Sequence, residues 1–558
     1  MSATRVRRLT AITLVGGLLA VAAAAAPGRG AVSSAAPAAS EAGVVVLEAG
    51  GNAADAAVAT ALALAVVHPA AGNLGGGGFA VTRFGGDVAT LDFRETAPAA
   101  ATPDMFLGAD GTPLPEASVI GALAAGVPGS PAGLFELHRR LGRLPWPDVV
   151  APAARLAREG FEVTPRFHRS ITEDRNLLAR FPETAAVWLP GGQAPAAGSV
   201  VRLPRLAAAL SEYAERGPNA LTTGAAAAAI AAVSGRYGGI ITLEDLASYR
   251  PVWREPVLFG AFGWQVASMP LPSSGGIILA QTLGILERVG WAKLKAGSAD
   301  RVHLLAETWR RAYADRFLLG DPATTLASAA QLMDPAWLAR RASEIDRSRA
   351  TPSAKVRPWA RAAGGRGDTT HLSVVDGEGN AVSLTTTLNG SYGCGVLVPE
   401  LGILLNNEMD DFATAPGKPN LYGLIQGEAN AVGPGKRMLS SMTPTVAWRG
   451  SQVLVLGSPG GSRIPTATAQ VFLNVVVDGD ALRVAVASPR VHHQWLPDEL
   501  RYETGALDRP IRFELARRGH TLRSVESVGE VCAVRLGPDG TFTAAADPRG
   551  PGAAGTAP

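Results

Sequence analysis

The 558-residue chain is 47% hydrophobic and 18% charged, the balance of a folded protein, which excludes a disordered or collagen-like polymer. Its 51 basic residues barely exceed its 48 acidic ones, and the formal charge of +3 gathers into no basic stripe, so no nucleic-acid partner is expected. Two cysteines, Cys394 and Cys532, exclude a disulfide scaffold and a Cys-rich zinc site, leaving one bridge in an oxidising compartment or two buried thiols.

At the N-terminus, Arg5, Arg7 and Arg8 precede an apolar run from Leu9 to Ala26 that closes in five alanines, Ala22 to Ala26. Positive, apolar and small-residue zones in that order predict a secretory signal peptide over residues 1–26 and an exported protein, periplasmic or extracellular. An uncleaved anchor is the alternative, because the run approaches the roughly 18–20 residues that span a bilayer. No Cys follows for a lipid anchor, and no other stretch predicts a stable membrane span.

An Ala/Ser/Gly-rich spacer follows, and then Gly51-Asn52-Ala53 opens an Ala-dominated run to Val67, which predicts helix. Gly75 to Gly78 breaks it, and β-branched and aromatic residues lead into Leu91-Asp92-Phe93-Arg94. Thr242 and Asp245 form a capping-box pattern ahead of Leu246. Between Val302 and Phe317, Leu305, Ala306, Trp309 and Ala312 share one helical face with charges opposite. From Arg347 to Gly367, Arg, Pro, Gly and Ser replace apolar periodicity, so residues 347–368 read as a mobile surface linker. His371 to Val375 and Ala381 to Thr387 read as strands around the turn Asp376-Gly377-Glu378-Gly379-Asn380, a hairpin. Residues 548–558, mostly Gly, Ala and Pro, read as a disordered tail. Mixed strand and helix signals without internal repeats give α/β or α+β class.

A threonine hydroxyl is a poor nucleophile without an adjacent base, and one solution places Thr first in a chain so that its own α-amine is the base. That amine has a pKa of about 7.7–8.0, so part of it is neutral near physiological pH. Thr369 stands where such a residue must be, after a cleavable linker and before the first strand of a hairpin. By position alone it is equally an ordinary β-forming residue. The blocks downstream narrow the choice: Gly367-Asp368-Thr369-Thr370-His371, Thr387-Leu388-Asn389, Leu404 to Phe412, Leu439-Ser440-Ser441-Met442-Thr443-Pro444 and Gly457-Ser458-Pro459-Gly460-Gly461-Ser462. With Ala53-Ala54-Asp55-Ala56-Ala57, Gly75 to Phe79, Asp92-Phe93-Arg94-Glu95 and Gly238-Gly239-Ile240, the chain resembles the γ-glutamyltranspeptidase family (γ-glutamyltransferase, glutathione hydrolase) of N-terminal-nucleophile hydrolases over nearly its whole mature length.

That resemblance implies an α+β, four-layer αββα fold, made as one precursor and cut between Asp368 and Thr369. A large subunit, 27–368, and a small catalytic subunit, 369–558, would stay together. It implies hydrolysis or transfer of the γ-glutamyl group of glutathione and related amides, with water or an amino-acid or peptide acceptor, and neither cofactor nor metal. Carried over by position, Thr369 is the nucleophile and Thr387 orients it. Gly460 and Gly461 supply backbone donors to the oxyanion, each worth about 2.7–4 kcal/mol in other enzymes. Arg94 clamps the substrate α-carboxylate through its guanidinium fork, helped by Ser440 and Ser441. Asn389, Glu408 and Asp411 accept from the α-ammonium group, and Tyr422, in the segment Pro416 to Arg437, belongs to a lid. Cys394 stands where a small hydroxyl residue is expected, so a thiol near the site is anticipated.

Other motifs carry less. The glycine run and Gly433 to Arg437 lack the Ser/Thr of a phosphate loop, and no G-x-S-x-G is present. His492-His493 lacks metal-site spacing, and Arg366-Gly367-Asp368 is incidental to the linker. Two rivals share the motifs: a related acylase (glutaryl or cephalosporin type) or poly-γ-glutamate depolymerase, and a non-catalytic exported binding protein. A glutaryl acylase needs no ammonium site, which sets Asn389, Glu408 and Asp411 against it.

Overall fold

A computed structural model describes residues 29–558 apart from Pro115, 358–368, 415–419 and Ile425. The expected signal peptide and Asp368 therefore lie outside the described residues. In chain order the strands of the two large sheets are β1 (Gly30–Ser34), β2 (Gly77–Phe84), β3 (Asp87–Phe93), β4 (Val252–Arg254), β5 (Val257–Ala261), β6 (Trp264–Ser268), β7 (Thr370–Asp376), β8 (Ala381–Thr387), β9 (Thr445–Arg449), β10 (Gln452–Gly457), β11 (Cys532–Leu536), β12 (Phe542–Ala545) and β13 (Ala553–Ala557). The seven-stranded sheet runs β13-β1-β7-β8-β2-β3-β4, and the six-stranded sheet runs β12-β11-β10-β9-β6-β5.

The two sheets stack through Val81, Val375 and Ala381 on one side and Val446, Val453, Val455 and Val534 on the other, all buried. Helices α1 (Pro37–Glu48) and α2 (Ala53–Val67) cover the outer face of the seven-stranded sheet. On the other outer face lie α3 (Gly275–Arg288), α4 (Ala299–Asp315), packed against α3, and α5 (Ile464–Val476). Helix, sheet, sheet, helix is the expected four-layer αββα order.

Local chemistry accounts for the elements that position the site. Helix α2 is capped by Asn52 and Asp55, which bond each other's backbone N–H groups, and it is buried all round. An apolar helix without a polar face belongs inside, and its alanines let neighbours come close. At one such approach a Cβ on Gly43 of α1 would overlap the Thr60 hydroxyl of α2. The Gly75 to Gly78 run serves the same purpose rather than a turn. A side chain at Gly75, Gly76 or Gly78 would overlap the carbonyl oxygens of Leu404, Thr387 or Thr385, and one at Gly77 would lie 2.5 Å from that of Phe93.

Four expectations need correction. The Ala/Ser/Gly-rich spacer is β1 and α1, because small residues suit a strand enclosed between two others. A Cβ at Gly30 would sit 2.6 Å from the Val375 oxygen. The tail expected to be disordered forms β13 and pairs with β1 from Gly30↔Ala557 to Ser34↔Ala553. Backbone hydrogen bonds supply that pairing without any apolar side-chain pattern. The charges opposite the apolar face of α4 do not reach solvent: Glu307, Arg310, Arg311 and Asp315 are buried, with Arg311 Nη1 2.8 Å from Glu307 and Arg310 Nη2 2.8 Å from Asp498. The start of the linker is docked, since Trp495 Nε1 donates to Ser353 O (2.9 Å) and Val356 O (3.1 Å); residues 358–368 lie outside the described residues. Predicted helices at Ala53–Val67 and Leu243–Ser248 and the hairpin of β7 and β8 are present. The two cysteines are free and buried, which decides between the alternatives left open by the sequence.

Candidate active site

Thr369 immediately precedes β7, a strand in the middle of the seven-stranded sheet, and is 6% exposed. Strand β8 brings Thr387 to the same end, since Thr386 pairs with Thr370 and Thr387 with Gly77. The chain then turns sharply. Thr387 Oγ1 accepts from the Asn389 N–H at 2.7 Å, and Asn389 adopts a left-handed φ of 72°. Asn tolerates that conformation better than most residues. Its Nδ2 donates to the Asn407 carbonyl (2.9 Å), while its Oδ1 is buried without a hydrogen-bond partner among the described residues.

Facing this turn is a buried cation enclosed by acids. Arg94 follows β3 directly, and Tyr249 Oη donates to its carbonyl at 2.8 Å. Its guanidinium lies 2.5 Å from Glu408, 2.5 Å from Asp411 and 3.7 Å from Glu95. Glu408 and Asp411 stand on one 3-10 turn whose start is fixed by Asn406, which accepts the Glu408 N–H at 3.0 Å. Burial alone would depress the Arg94 pKa, but Glu408, Asp411 and Glu95 reverse this and hold it charged. Burial pushes the carboxyls upward against the pull of Arg94: Glu408 well up, Asp411 up, and Glu95 to about 7. Asp411 also feels Arg316, a buried arginine whose own pKa burial lowers to about 10.

Ser440 and Ser441 close another side. The Ser440 N–H donates to Pro272 O (2.8 Å), and Ser274 Oγ donates to Ser440 O (2.7 Å). The Ser441 hydroxyl is buried without a hydrogen-bond partner among the described residues. Gly460 and Gly461 link β10 to the N-terminal end of α5, where backbone N–H groups favour negative charge. Their φ values, 122° and 56°, are ones that L side chains rarely adopt, and a Cβ on Gly461 would overlap the Tyr422 ring. Tyr422 Oη donates to Asn389 O at 2.7 Å, and Asn420 Nδ2 donates to Asp411 at 2.9 Å. The segment carrying Tyr422 therefore touches both the Gly460-Gly461 loop and the acidic turn.

One small cavity, about 10 Å³ in volume, is lined by Arg94, Thr369, Thr387, Asn389, Glu408, Asp411, Tyr422, Ser440, Ser441 and Gly461. Gly460, next in chain to Gly461, is not among its lining residues. Leu424, Met442 and Ile464 also line it and were not anticipated, although each adjoins a recognised motif. Arg316 was missed as well; its only sequence signal is a charge at the end of an amphipathic helix. Cys394 does not line the cavity. Burial pushes its thiol up to about 12, so it is not the accessible reactive group anticipated from its departure from the family pattern.

His492 and His493 are hydrogen-bonded within the core, to Thr466 and Gln494 and to Arg310 respectively. Elsewhere among the described residues, His303, Glu307 and His520 bring possible metal-ligand atoms together. The Glu307 carboxylate is already held by Arg310, Arg311 and Thr351, and His303 bridges His520 (2.8 Å) and the Asp346 carbonyl (2.7 Å). Two adjacent guanidinium groups disfavour a cation there, so the cluster fits a structural knot.

Comparison with known proteins agrees with this geometry. The family model described as Gamma-glutamyltranspeptidase matches residues 39–557. A relative from Escherichia coli (strain K12), named glutathione hydrolase proenzyme, is 44% identical over 525 residues, covering 93% of this chain and 90% of that protein. Among solved structures, a cephalosporin acylase from Bacillus halodurans superposes with a TM-score of 0.83 at 27% identity, covering 94% of this chain and 95% of the other. A Helicobacter pylori gamma-glutamyltranspeptidase gives a TM-score of 0.57 at 39% identity, covering 58% of this chain and 93% of that one.

Proposed function

The chain belongs to the gamma-glutamyltranspeptidase family, and from that premise we propose that it hydrolyses or transfers the γ-glutamyl group of glutathione and similar amides, with Thr369 as nucleophile. The observation that carries this reading is the convergence, in one small cavity, of Thr369 with a buried guanidinium and two buried carboxylates. Such a cavity is suited to the two opposite charges of a free amino-acid head.

The reaction follows from the groups present. Thr369 Oγ attacks the γ-carbonyl while its proton passes to the Thr369 α-amine. The Oγ–C bond forms, and the oxyanion takes backbone N–H groups of Gly460 and Gly461. As the C–N bond breaks, the proton moves to the leaving nitrogen, leaving an ester on Thr369. Water or an acceptor amine then attacks that ester and loses a proton to the α-amine; as the Oγ–C bond breaks, that proton returns to Oγ and the acyl product leaves. Arg94, Ser440 and Ser441 hold the α-carboxylate; Asn389, Glu408 and Asp411 hold the α-ammonium. Tyr422 shuts the cavity and Thr387 orients the nucleophile.

The α-amine must first be released by cleavage between Asp368 and Thr369, giving subunits 27–368 and 369–558 from an exported precursor. The word proenzyme in the relative's name supports such processing. The position of β1, paired on both sides with strands of the small subunit, supports two subunits that stay together after the cut.

The likeness to a cephalosporin acylase favours a second reading, an acylase for glutaryl side chains. γ-Glutamyl-para-nitroanilide and glutaryl-para-nitroanilide differ only in the α-amine. The γ-glutamyl reading expects kcat/KM to favour the former at least about 100-fold, because a site built around a polar group rejects an analogue lacking it. Equal values would establish the acylase instead.

A further inference from the structure

Behind the Gly460-Gly461 loop, the peptide planes are fixed in sequence. Gly461 to Arg463 form a single 3-10 turn, in which the Arg463 N–H donates to Gly460 O at 3.0 Å and the Ile464 N–H donates to Gly461 O. In a trans peptide the N–H and the C=O point in opposite directions. With the Gly460 carbonyl turned into the 3-10 turn, the Gly461 N–H on the same peptide points out of it, and Gly461 lines the cavity that holds Thr369.

The next peptide repeats the pattern. The Arg463 N–H shares its plane with the Ser462 carbonyl, so that carbonyl points away from Gly460. Its partner is Tyr313 on α4, whose Oη donates to Ser462 O. Tyr313 is 3% exposed, and burial pushes its pKa upward, which keeps the hydroxyl a donor. The Ser462 hydroxyl is engaged elsewhere, donating to Gln494 Oε1 at 2.7 Å. A phenol and two peptides therefore form one chain of hydrogen bonds whose dipoles run the same way, ending at the Gly461 N–H. Bonds in such a chain polarise one another, and low-dielectric surroundings strengthen them. Three residues along, Arg316 Nε donates to Ser274 Oγ, which donates to the Ser440 carbonyl. The end of α4 thus backs the glycine loop and the serine loop together.

We propose that Tyr313 is the positioning residue of the oxyanion donors: through the Ser462 and Gly460 peptides, its hydroxyl aims and polarises the Gly461 N–H toward the oxygen that becomes negative when Thr369 attacks. The proposal rests on the γ-glutamyl reading above. The chain acts mainly in the transition state, because the charge at its far end exists only there. Losing an oxyanion donor outright costs about 100- to 1,000-fold in kcat, and losing Tyr313 leaves the donor present but loosened, so the expected cost is about tenfold.

The test uses Tyr313→Phe, which keeps the ring that packs edge-on to His492, with rates referred to the cut protein measured by intact mass. For γ-glutamyl-para-nitroanilide, kcat should fall about tenfold while KM stays within about twofold of wild type. Two inhibitors separate aim from general damage. One is a γ-glutamyl analogue with boronic acid in place of the γ-carbonyl group. Its boron takes the Thr369 Oγ electron pair as the hydroxyl proton passes to the α-amine, giving a tetrahedral anion with nothing leaving. The other is norvaline, which has the same amino-acid head and carbon chain without the carbonyl oxygen. The boronate Ki should rise about tenfold and the norvaline Ki stay within about twofold. An unchanged kcat, or both inhibitors weakened together, would overturn the assignment. If Tyr313→Phe gives no cut protein, 3-fluorotyrosine at position 313 decides, since it keeps the hydroxyl and makes it a stronger donor. The boronate should then bind about twofold tighter relative to norvaline, and an unchanged ratio would overturn the proposal. A wild type that neither turns over the anilide nor binds the boronate would instead remove the γ-glutamyl reading itself, and the proposal with it.

Discussion

Arg94 Nη2 lies 2.5 Å from Asp411 Oδ2, and both side chains are buried. One residue comes from the segment before Thr369 and the other from the segment after it, so the pair ties the two prospective subunits across the site. On the proposed reading, a zwitterionic head would exchange with this pair rather than add to it, its carboxylate taking guanidinium donors and its ammonium the carboxylates. A ligand with only one charge would take one partner and return nothing to the other, so the site should favour a head that carries both charges.

Arg94→Lys keeps the charge and loses the fork. The KM for γ-glutamyl-para-nitroanilide should rise at least about 30-fold, because a point charge cannot pair two oxygens and still meet the acidic turn. Precursor cleavage, which needs no amino-acid head, should continue. Steady-state kinetics beside a denaturing gel separate the two effects.

Arg316→Gln tests the second cation acting on Asp411. Arg316 Nε donates to Ser274 Oγ at 3.0 Å, and that hydroxyl in turn donates to Ser440 O, so the side chain braces the serine loop as well. Asp411 faces Arg94 and Arg316 as cations, with Glu95, Glu408 and Asp410 as neighbouring acids. Arg316 lowers the Asp411 pKa, so its loss raises that pKa. Binding that needs the carboxylate is then lost at a higher pH. The acid limb of kcat/KM should move upward, and a profile merely lowered without a shift would assign Arg316 a structural role alone.

Glu95 has both carboxylate oxygens buried without hydrogen bonds, and burial raises it to about 7 against the pull of Arg94. The folded protein therefore binds a proton there that the unfolded chain releases near 4.5. Stability from this group is present below that value and declines as pH rises to about 7. Relative to wild type, Glu95→Gln should become progressively more stable across this window and level off above it. Thermal melts of both proteins from pH 4.5 to 8 measure it.

Deleting residues 552–558 removes β13 and exposes one edge of β1. The melting temperature should fall, by less per kcal/mol than the roughly 2–4 °C of a 150–250-residue domain, because the unfolding entropy grows with size. The two subunits should also separate at lower denaturant, which size-exclusion chromatography detects.

The layered fold and most of the cavity were legible through the family resemblance, which short ordered blocks carry; local patterns alone reach the α/β or α+β class. The hairpin of β7 and β8 carries period-two apolar residues around a Gly-containing turn, and Arg94, Glu408, Asp411, Ser440 and Ser441 sit within short ordered blocks. What escaped depends on tertiary partners. β13 has no apolar pattern because β1 supplies its partner through backbone alone. Charges on α4 read only as the face opposite its apolar residues, whereas Glu307, Arg310 and Arg311 neutralise one another inside. Gly75 to Gly78 read as a break, although passing carbonyls are what forbid side chains there. Arg316 was hidden for the same reason: its neighbours Ser274 and Asp411 are 42 and 95 residues away in sequence.

The central claim is that Thr369 cuts the chain and then turns over substrate. Denatured intact mass of the purified wild type beside Thr369→Ala tests it most directly. The account predicts two chains from the wild type, the smaller beginning at Thr369, and one uncut chain from the variant. A wild type that stays in one piece while hydrolysing γ-glutamyl-para-nitroanilide, or a variant that is cut at the same bond, would contradict it.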